Sequence, residues 1–342
     1  MKKIAALILA LLLCAAVFTG CGNSGDTSSN GSSTGSTASQ SGEKKKIGIV
    51  QISDHASLNT IRDATIEQLG KLGYKDGETA EIEALSAQNE AANVTTILNN
   101  FVSGGKDIVI AITTPVASSA LNIANEVPVV FSAVSDPIAT KLTTSLEKPD
   151  KNVTGTSDAV PVDRIFDMAL ELTPNIKTLG LLYNNGEASS VSNIAAAKEY
   201  CDKNGLKYVE AGVTTSTEVQ QAAQSLVTKC DAIFTPTDNT VADAMTVLAQ
   251  ITKDAKIPCY VGADSMVNDG GFATIGIKYE DLGIETANMA DKVLKGTPIS
   301  SIPIKVFDDL STYVNTDTAK AIGVKIPESI LKNDKTVIFP QG

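Results

Sequence analysis

The stretch Ile108-Val109-Ile110-Ala111-Ile112-Thr113-Thr114-Pro115 runs apolar without interruption and then turns polar. A strand with one wet face alternates apolar and polar residues, whereas an unbroken apolar run belongs to a strand buried on both faces. Such strands sit inside parallel sheets flanked by helices, so this stretch points to an α/β fold. Similar runs recur on both sides of it: Lys46–Ile52, Thr79–Ala84, Val127–Phe131, Thr178–Tyr183, Lys207–Glu210, Ala232–Phe234, Ile257–Val261 and Ala273–Ile277. Helical patterns lie between them. Leu58, Ile61, Ile66, Leu69 and Leu72 recur near i, i+3, i+4 spacing, as do Val94, Ile97, Leu98 and Phe101. Ala195–Tyr200, Val219–Val227, Val241–Ile251 and Leu282–Leu294 continue the series. The alternation predicts parallel sheets covered on both faces. It falls into two series, before and after Asp158. Asn152–Pro161, with the breakers Gly155 and Pro161, is the expected first crossing between them.

Each apolar run exits into a polar cluster before a helix. The exits are Gln51-Ile52-Ser53-Asp54-His55, Thr113-Thr114-Pro115, Ser132-Ala133-Val134-Ser135-Asp136-Pro137, Tyr183-Asn184-Asn185-Gly186-Glu187, Thr235-Pro236-Thr237-Asp238-Asn239 and Gly262-Ala263-Asp264-Ser265. In open parallel sheets such exits share one edge, where ligands bind. The helix starts there offer unpaired N–H groups and a partial positive charge. Any one of these polar residues is accounted for by helix capping alone. A cap needs one polar residue, however, and several exits carry three or four.

The N-terminus has a different character. Lys2 and Lys3 precede the apolar run Leu7 to Phe18, and small residues follow at Thr19-Gly20-Cys21. This is the pattern of a secretory signal, too short for a membrane span. Residues 22–43 are rich in Gly, Ser, Thr and Asn and cannot bury enough apolar surface to order themselves, so they are expected to form a disordered tether.

The whole chain carries a net charge of −11, which argues against nucleic acid, since phosphate binding needs basic clusters. Lys44 to Lys46 is the exception and reads as a solvated linker end. Arg62 and Arg164 are the only arginines, Trp is absent and aromatics are 4%, so neither an arginine clamp nor a stacked sugar cleft is indicated. Beyond the leader, Cys201, Cys230 and Cys259 are odd in number and widely spaced, unlike a disulfide framework or a zinc site. Cys230 and Cys259 read as small buried hydrophobes. A phosphate-binding G-x-x-x-x-G-K-[ST] loop, a G-x-S-x-G turn and an H-E-x-x-H helix are all missing, and a lone histidine builds no metal cluster. The expectation is therefore a protein without catalytic residues, metal or cofactor.

The exits resemble those of a known family, the substrate-binding lipoproteins of ABC importers, in the branch with tryptophan- and tyrosine-type amino-acid binders. The matching words are Gln51–His55 with Leu58-Asn59, Thr114-Pro115, Val127 to Phe131, Val134-Ser135-Asp136-Pro137, Asn152-Val153-Thr154-Gly155, Leu182-Tyr183-Asn184 with Glu187, Pro236-Thr237-Asp238-Asn239, and Gly283 after Tyr279. Ala56-Ser57 and Asn59 depart from the common Pro-Ala and Asp. Thr19-Gly20-Cys21 likewise resembles the bacterial lipoprotein box, with Phe18 where Leu is usual, which implies that Cys21 is lipidated and becomes the first mature residue. The resemblance implies an α/β fold of the type I periplasmic-binding-protein kind: two doubly wound parallel-sheet lobes joined by a three-stranded hinge. Residues 1–21 would be the signal peptide and 22–44 the tether. Lobe I would hold residues 45–156 and 278–304, and lobe II residues 157–277 and 305–342. A helix Glu280–Leu294 would return to the first lobe, with a last crossing near Ile302–Phe307. The function implied is capture of a small solute, an amino acid with the aromatic ones among the candidates, for an ABC permease and its ATPase. The protein would be a monomer held by its lipid on the outer face of the cytoplasmic membrane.

An amino acid carries an ammonium and a carboxylate. Among the exits, Asp238 is the expected ammonium partner, with Asp264 as the alternative in the same lobe and Asp136 in the other. Thr113, Thr114, Ser189 and Ser190 sit at helix starts and suit the carboxylate. Phe131, Tyr183 and Tyr279 are candidate walls for an apolar side chain. Ser135, Asn184 and Glu187 complete the candidate set. His55 is either a capping loop residue or a ligand contact at the mouth. Two other classes stay open: a sensor lobe for a membrane receptor, and an enzyme using paired carboxylates such as Asp238 and Asp264.

Overall fold

The computed structural model describes residues 44–340, so the leader, Cys21 and the tether through residue 43 lie outside the described residues. The first series of elements is β1 (Lys45–Gln51), α1 (Ala56–Lys71), β2 (Ala80–Ser86), α2 (Ala91–Ser103), β3 (Ile108–Ile112), α3 (Thr114–Ala120), β4 (Val129–Ser132) and β5 (Val153–Ser157). The second is α4 (Val162–Leu172), β6 (Thr178–Asn184), α5 (Ala188–Asn204), β7 (Lys207–Val213), α6 (Ser216–Leu226), β8 (Ala232–Thr235), α7 (Asn239–Asp243), α8 (Met245–Asp254), β9 (Cys259–Val261), α9 (Asp264–Asn268) and β10 (Ala273–Gly276). The chain ends with α10 (Tyr279–Leu294), β11 (Lys305–Val306), β12 (Ser311–Asn315), α11 (Thr316–Ile322), α12 (Glu328–Leu331) and β13 (Thr336–Phe339).

Two sheets result, in the orders β11-β5-β4-β3-β1-β2 and β13-β12-β10-β9-β8-β6-β7. Every pairing in the first sheet is parallel. The second is parallel except that β12 runs antiparallel to β10. Unbroken apolar strands are explained by burial on both faces. In β6, Leu181 packs into one apolar cluster and its neighbour Leu182 into another; Phe234 and Ile233 of β8 divide in the same way. Alternate side chains leave a strand on opposite faces, so both faces must be covered. The face with Phe166, Phe234, Tyr260 and Phe272 forms its own cluster, while the other runs on into the core of the first sheet. Cys201 and Cys259 are buried, Cys230 is half-buried, and all three are free thiols.

The chain passes between the sheets three times, after β5, after β10 and after β11. The segment Asn152–Pro161, read from its glycine and proline as a crossing, contains a strand. The reason is chemical: β5 carries Thr154, Thr156 and Ser157, all buried and satisfied by hydrogen bonds instead of by apolar packing. β11 pairs with β5 at Lys305 and Val306, so the first sheet reaches beyond residue 304. The expected return helix is present as α10 and packs on α1.

That α10–α1 contact depends on Gly283. A Cβ there would lie 2.5 Å from the Ile61 carbonyl oxygen and 2.8 Å from Ala64 Cβ. The Thr65 hydroxyl also donates to the Gly283 carbonyl, 3.2 Å. Backbone cannot yield as a flexible side chain can, so Gly283→Ala should cost about 1–3 kcal/mol of stability by forcing the helices apart. Thermal unfolding followed by circular dichroism measures it; an unchanged midpoint would mean the helices separate freely.

Candidate functional site

Exits from both sheets line one shared cavity. The first sheet contributes His55, Ser57 and Leu58 after β1, Thr113 and Thr114 after β3, Ala133 and Ser135 after β4, and Asp158 after β5. Facing them are Glu187 and Ser189 after β6, Thr237, Asp238, Asn239 and Ala242 after β8, and Ala263 and Met266 after β9, while Tyr279 opens α10 just past the second crossing. The halves touch across the cleft. His55 Nε2 lies 3.2 Å from Asn239 Oδ1, the Ser135 and Thr237 hydroxyls are 3.3 Å apart, and Ser57 bonds to Ser265.

Three carboxylates line this space, and no lysine or arginine does. Asp238 accepts from the Asn184 N–H at 2.6 Å, the Ser190 hydroxyl at 2.7 Å and the Val241 N–H at 2.9 Å, capping α7. Glu187 accepts from the Asn239 side-chain amide, from its backbone N–H at 3.3 Å and from the Ser189 hydroxyl at 3.3 Å. Asp158 accepts from the Ser135 hydroxyl at 2.9 Å and the Tyr279 hydroxyl at 3.0 Å. Burial pushes all three carboxyls above the ordinary range. Glu187 goes furthest up, because the Asp238 charge adds to its desolvation. Burial lowers the His55 imidazole below 6.5, despite its bond to Asn239 and the charges of Asp269, Asp238 and Asp54.

Two polar atoms on the lining have no partner: His55 Nδ1 and Thr113 Oγ1, both buried. Thr113 also has φ +89°, a region that β-branched residues rarely occupy. Helix α1 begins without a side-chain cap, and Ser57 and Leu58 of its first turn face the cavity.

The structure thus brings His55, Thr113, Thr114, Ser135, Glu187, Ser189, Asp238 and Tyr279 together. Other expected residues lie off the lining. Phe131 belongs to the body of β4 rather than to its exit, fully buried with its ring against Gly155. Asp136 closes its own loop by accepting from the Ile138 and Ala139 N–H groups. Tyr183 turns to the sheet surface and donates to Glu210, 3.0 Å. Asn184 and Ser190 stand behind Asp238 as its donors. Asp264 accepts from the N–H of Ser265 and of Tyr279, and burial raises it to about 6. The reading of single exits missed Ser57, Leu58, Ala133, Asp158, Thr237, Asn239, Ala242, Ala263 and Met266. Thr237 and Asn239 flank Asp238 in sequence and carried a signal; Asp158 was hidden in the supposed crossing.

The chain matches the family model described as ABC transporter substrate binding protein over residues 46–338. It is 37% identical over 325 residues to the Tyrosine-binding protein of Clostridioides difficile strain R20291, spanning 95% of this chain and 93% of that one. Among solved structures, an ABC domain from Streptococcus pneumonia in complex with L-Trp is 33% identical, with a TM-score of 0.83 over 87% of this chain and 100% of that one. The ligand-free, open structure of a Clostridium difficile substrate binding protein with adhesive properties is 41% identical, yet its TM-score is 0.66 over 86% of this chain and 98% of that one. The chain therefore superposes better on the ligand-bound relative than on the open one, although its sequence is nearer the open one. The cross-cleft bonds fit this closed arrangement.

The raised carboxyls set a pH dependence. Glu187 holds its proton in the folded state at pH values where the unfolded chain has lost it, so the ligand-free protein loses stability as pH rises through that window. His55, with a lowered value, acts in the opposite sense below 6.5. Comparison with Glu187→Gln isolates the carboxyl: from about pH 5 to about pH 8 the variant should gain stability relative to the wild type. Parallel melting curves across that range would show that Glu187 titrates like an exposed carboxyl.

Proposed function

The chain belongs to the ABC transporter substrate-binding proteins, and from that premise we propose that its cavity takes a free amino acid with an aromatic side chain, tyrosine or tryptophan. The observation that carries this is the pair Glu187 and Asp238, two buried carboxylates lining the cavity with no cation beside them among the described residues. Buried charge needs a partner, and the ligand's ammonium supplies it. The ligand's carboxylate goes to the opposite wall, to the Thr113 and Thr114 hydroxyls and the free N–H groups at the uncapped start of α1. Glu187 already occupies the N-cap of α5, which leaves that helix start unsuited to a second anion. Leu58, Ala133, Ala242, Ala263 and Met266 supply the apolar lining. Two relatives support the choice of side chain, one named for tyrosine and one holding L-Trp.

A zwitterion stretched between the halves bonds to both only when they are closed, so it shifts the open–closed equilibrium toward the closed form. We place the first lobe at residues 45–157 with 278–306 and the second at 158–277 with 307–340. The closed outer faces are what an ABC permease recognises, and its ATPase provides the energy. The protein itself makes and breaks no bonds. It works at the outer face of the cytoplasmic membrane, as a monomer anchored through lipid on Cys21. None of the described helices is long and apolar enough to cross a membrane.

Glu187→Gln tests the ammonium site with less disturbance than a change at Asp238, whose loss would also strand the Asn184 and Val241 N–H groups. Affinity for L-tyrosine or L-tryptophan should fall about ten- to a hundred-fold in calorimetry, the scale of a charge-assisted hydrogen bond. Binding to the wild type near pH 6 should release protons, seen as a dependence of the heat on buffer ionisation, because the ammonium keeps Glu187 ionised. Undiminished affinity in the variant would remove Glu187 from the site. Replacing Cys21 with Ser should move the protein from the membrane fraction to the soluble fraction; equal membrane retention would rule out the lipid anchor.

A further inference from the structure

Asn239 joins the two walls of the cavity. Its side-chain amide nitrogen donates to Glu187 Oε1 and its backbone N–H to Glu187 Oε2. With the ligand's ammonium bound, Glu187 is ionised, and an ionised carboxylate only accepts, so the amide cannot be turned over in the complex. Its Oδ1 therefore faces the other wall, 3.2 Å from His55 Nε2. That oxygen also only accepts, so Nε2 carries the hydrogen. A neutral imidazole has a single ring proton, which leaves Nδ1 bare. Burial favours the neutral form. Nδ1 is buried and has no partner among the described residues, and His55 lines the cavity. A buried acceptor with no donor is costly, and the cavity is where a donor can come from.

We propose that His55 is a specificity-determining residue: held by its Nε2–H on Asn239, it presents Nδ1 as an acceptor for the ligand's ammonium. A primary ammonium has three N–H donors. Glu187 and Asp238 offer acceptors from the second lobe, and His55 offers the third from the first. The first lobe thereby senses the amino group with a neutral acceptor and adds no charge. The bond exists only when the cleft is closed, since the tie to Asn239 spans it. The inference rests on the amino-acid reading above.

His55 is the single histidine of the chain, so ¹⁵N-histidine labelling gives one resonance for each ring nitrogen. At neutral pH with saturating L-tyrosine, L-tryptophan or L-phenylalanine, Nε2 should be protonated, and Nδ1 bare and shifted by accepting a hydrogen bond. L-Phenylalanine has no donor on its side chain, so a shift with it assigns the bond to the ammonium. In calorimetry His55→Phe should weaken binding about ten- to a hundred-fold. Asn239→Leu, checked for folding by circular dichroism, should abolish the preference for the Nε2–H tautomer. An imidazolium in the complex, a protonated Nδ1, or a shift with tyrosine and tryptophan but none with bound phenylalanine overturns the proposal and leaves the amino-acid reading standing. Absence of binding heat with any of the twenty amino acids overturns that reading and this inference together.

Discussion

Glu187 and Asp238 hold buried carboxyl groups, and no cation among the described residues lines the cavity beside them. Cations are close in sequence to the lining, yet all are engaged elsewhere. Arg62 on α1 pairs with Asp54 and Asp63, and Lys278, the residue before Tyr279, pairs with Glu280. Exposed pairs of that kind contribute little to stability. A folded body could have placed one lysine beside Glu187 and removed the imbalance. On the amino-acid reading proposed above, leaving it in place keeps a position for the ligand's cation and ties ligand capture to closure.

The hinge is polar as well. Ser132, Thr156 and Thr286 bond in a buried cluster where β4, β5 and α10 meet, and the Thr154 hydroxyl reaches the Ile302 carbonyl. Asp158, just past β5, accepts from Tyr279, which follows the second crossing, and from Ser135 of the β4 exit. Ser135 is in turn beside Thr237 of the opposite lobe. Directional bonds fix how the crossings lie against each other in a way that apolar packing alone does not, and in a low-dielectric setting each satisfied bond counts for more. The same few side chains thus form the floor of the cavity and the joint between the lobes.

These two regions differ in how far the sequence discloses them. β3 and β6 were legible because double burial removes polar residues from the strand and leaves an unbroken apolar run. β5 was not, because Thr154, Thr156 and Ser157 are as buried as any isoleucine but are satisfied by side-chain bonds. Polar clusters at the exits marked the edge where the cavity lies, and His55, Glu187 and Asp238 from those clusters line it. They could not separate a residue on the lining from one that supports it. Asn184 and Ser190 hold Asp238 from behind, and only the fold decides which side of a carboxylate faces the cavity. Phe131 and Tyr183 were chosen for their rings, but period-two alternation sends Phe131 into the core and Tyr183 to Glu210 on the surface. The later crossings are set by pairing between distant segments, such as β11 on β5, which no local pattern encodes.

Thr113 brings the argument to the closed state itself. A β-branched residue at φ +89° is strained, and such a conformation lasts only where its surroundings overdetermine it. Here they do: β3 is paired on both sides, the Thr113 N–H donates to the Ser132 carbonyl, and its own carbonyl accepts from Ala117. The result is a buried hydroxyl on the lining with no partner among the described residues, beside an imidazole nitrogen in the same condition and buried carboxyls. Each is a cost borne by the closed form alone, since opening the cleft lets water satisfy all of them. A ligand that meets these groups removes the costs only in the closed form, and that difference is what lets it shift the equilibrium. On the amino-acid reading proposed above, a solute without an ammonium would leave the carboxyls unpaired and gain less from closure, so the groups left unsatisfied would also be the ones that discriminate.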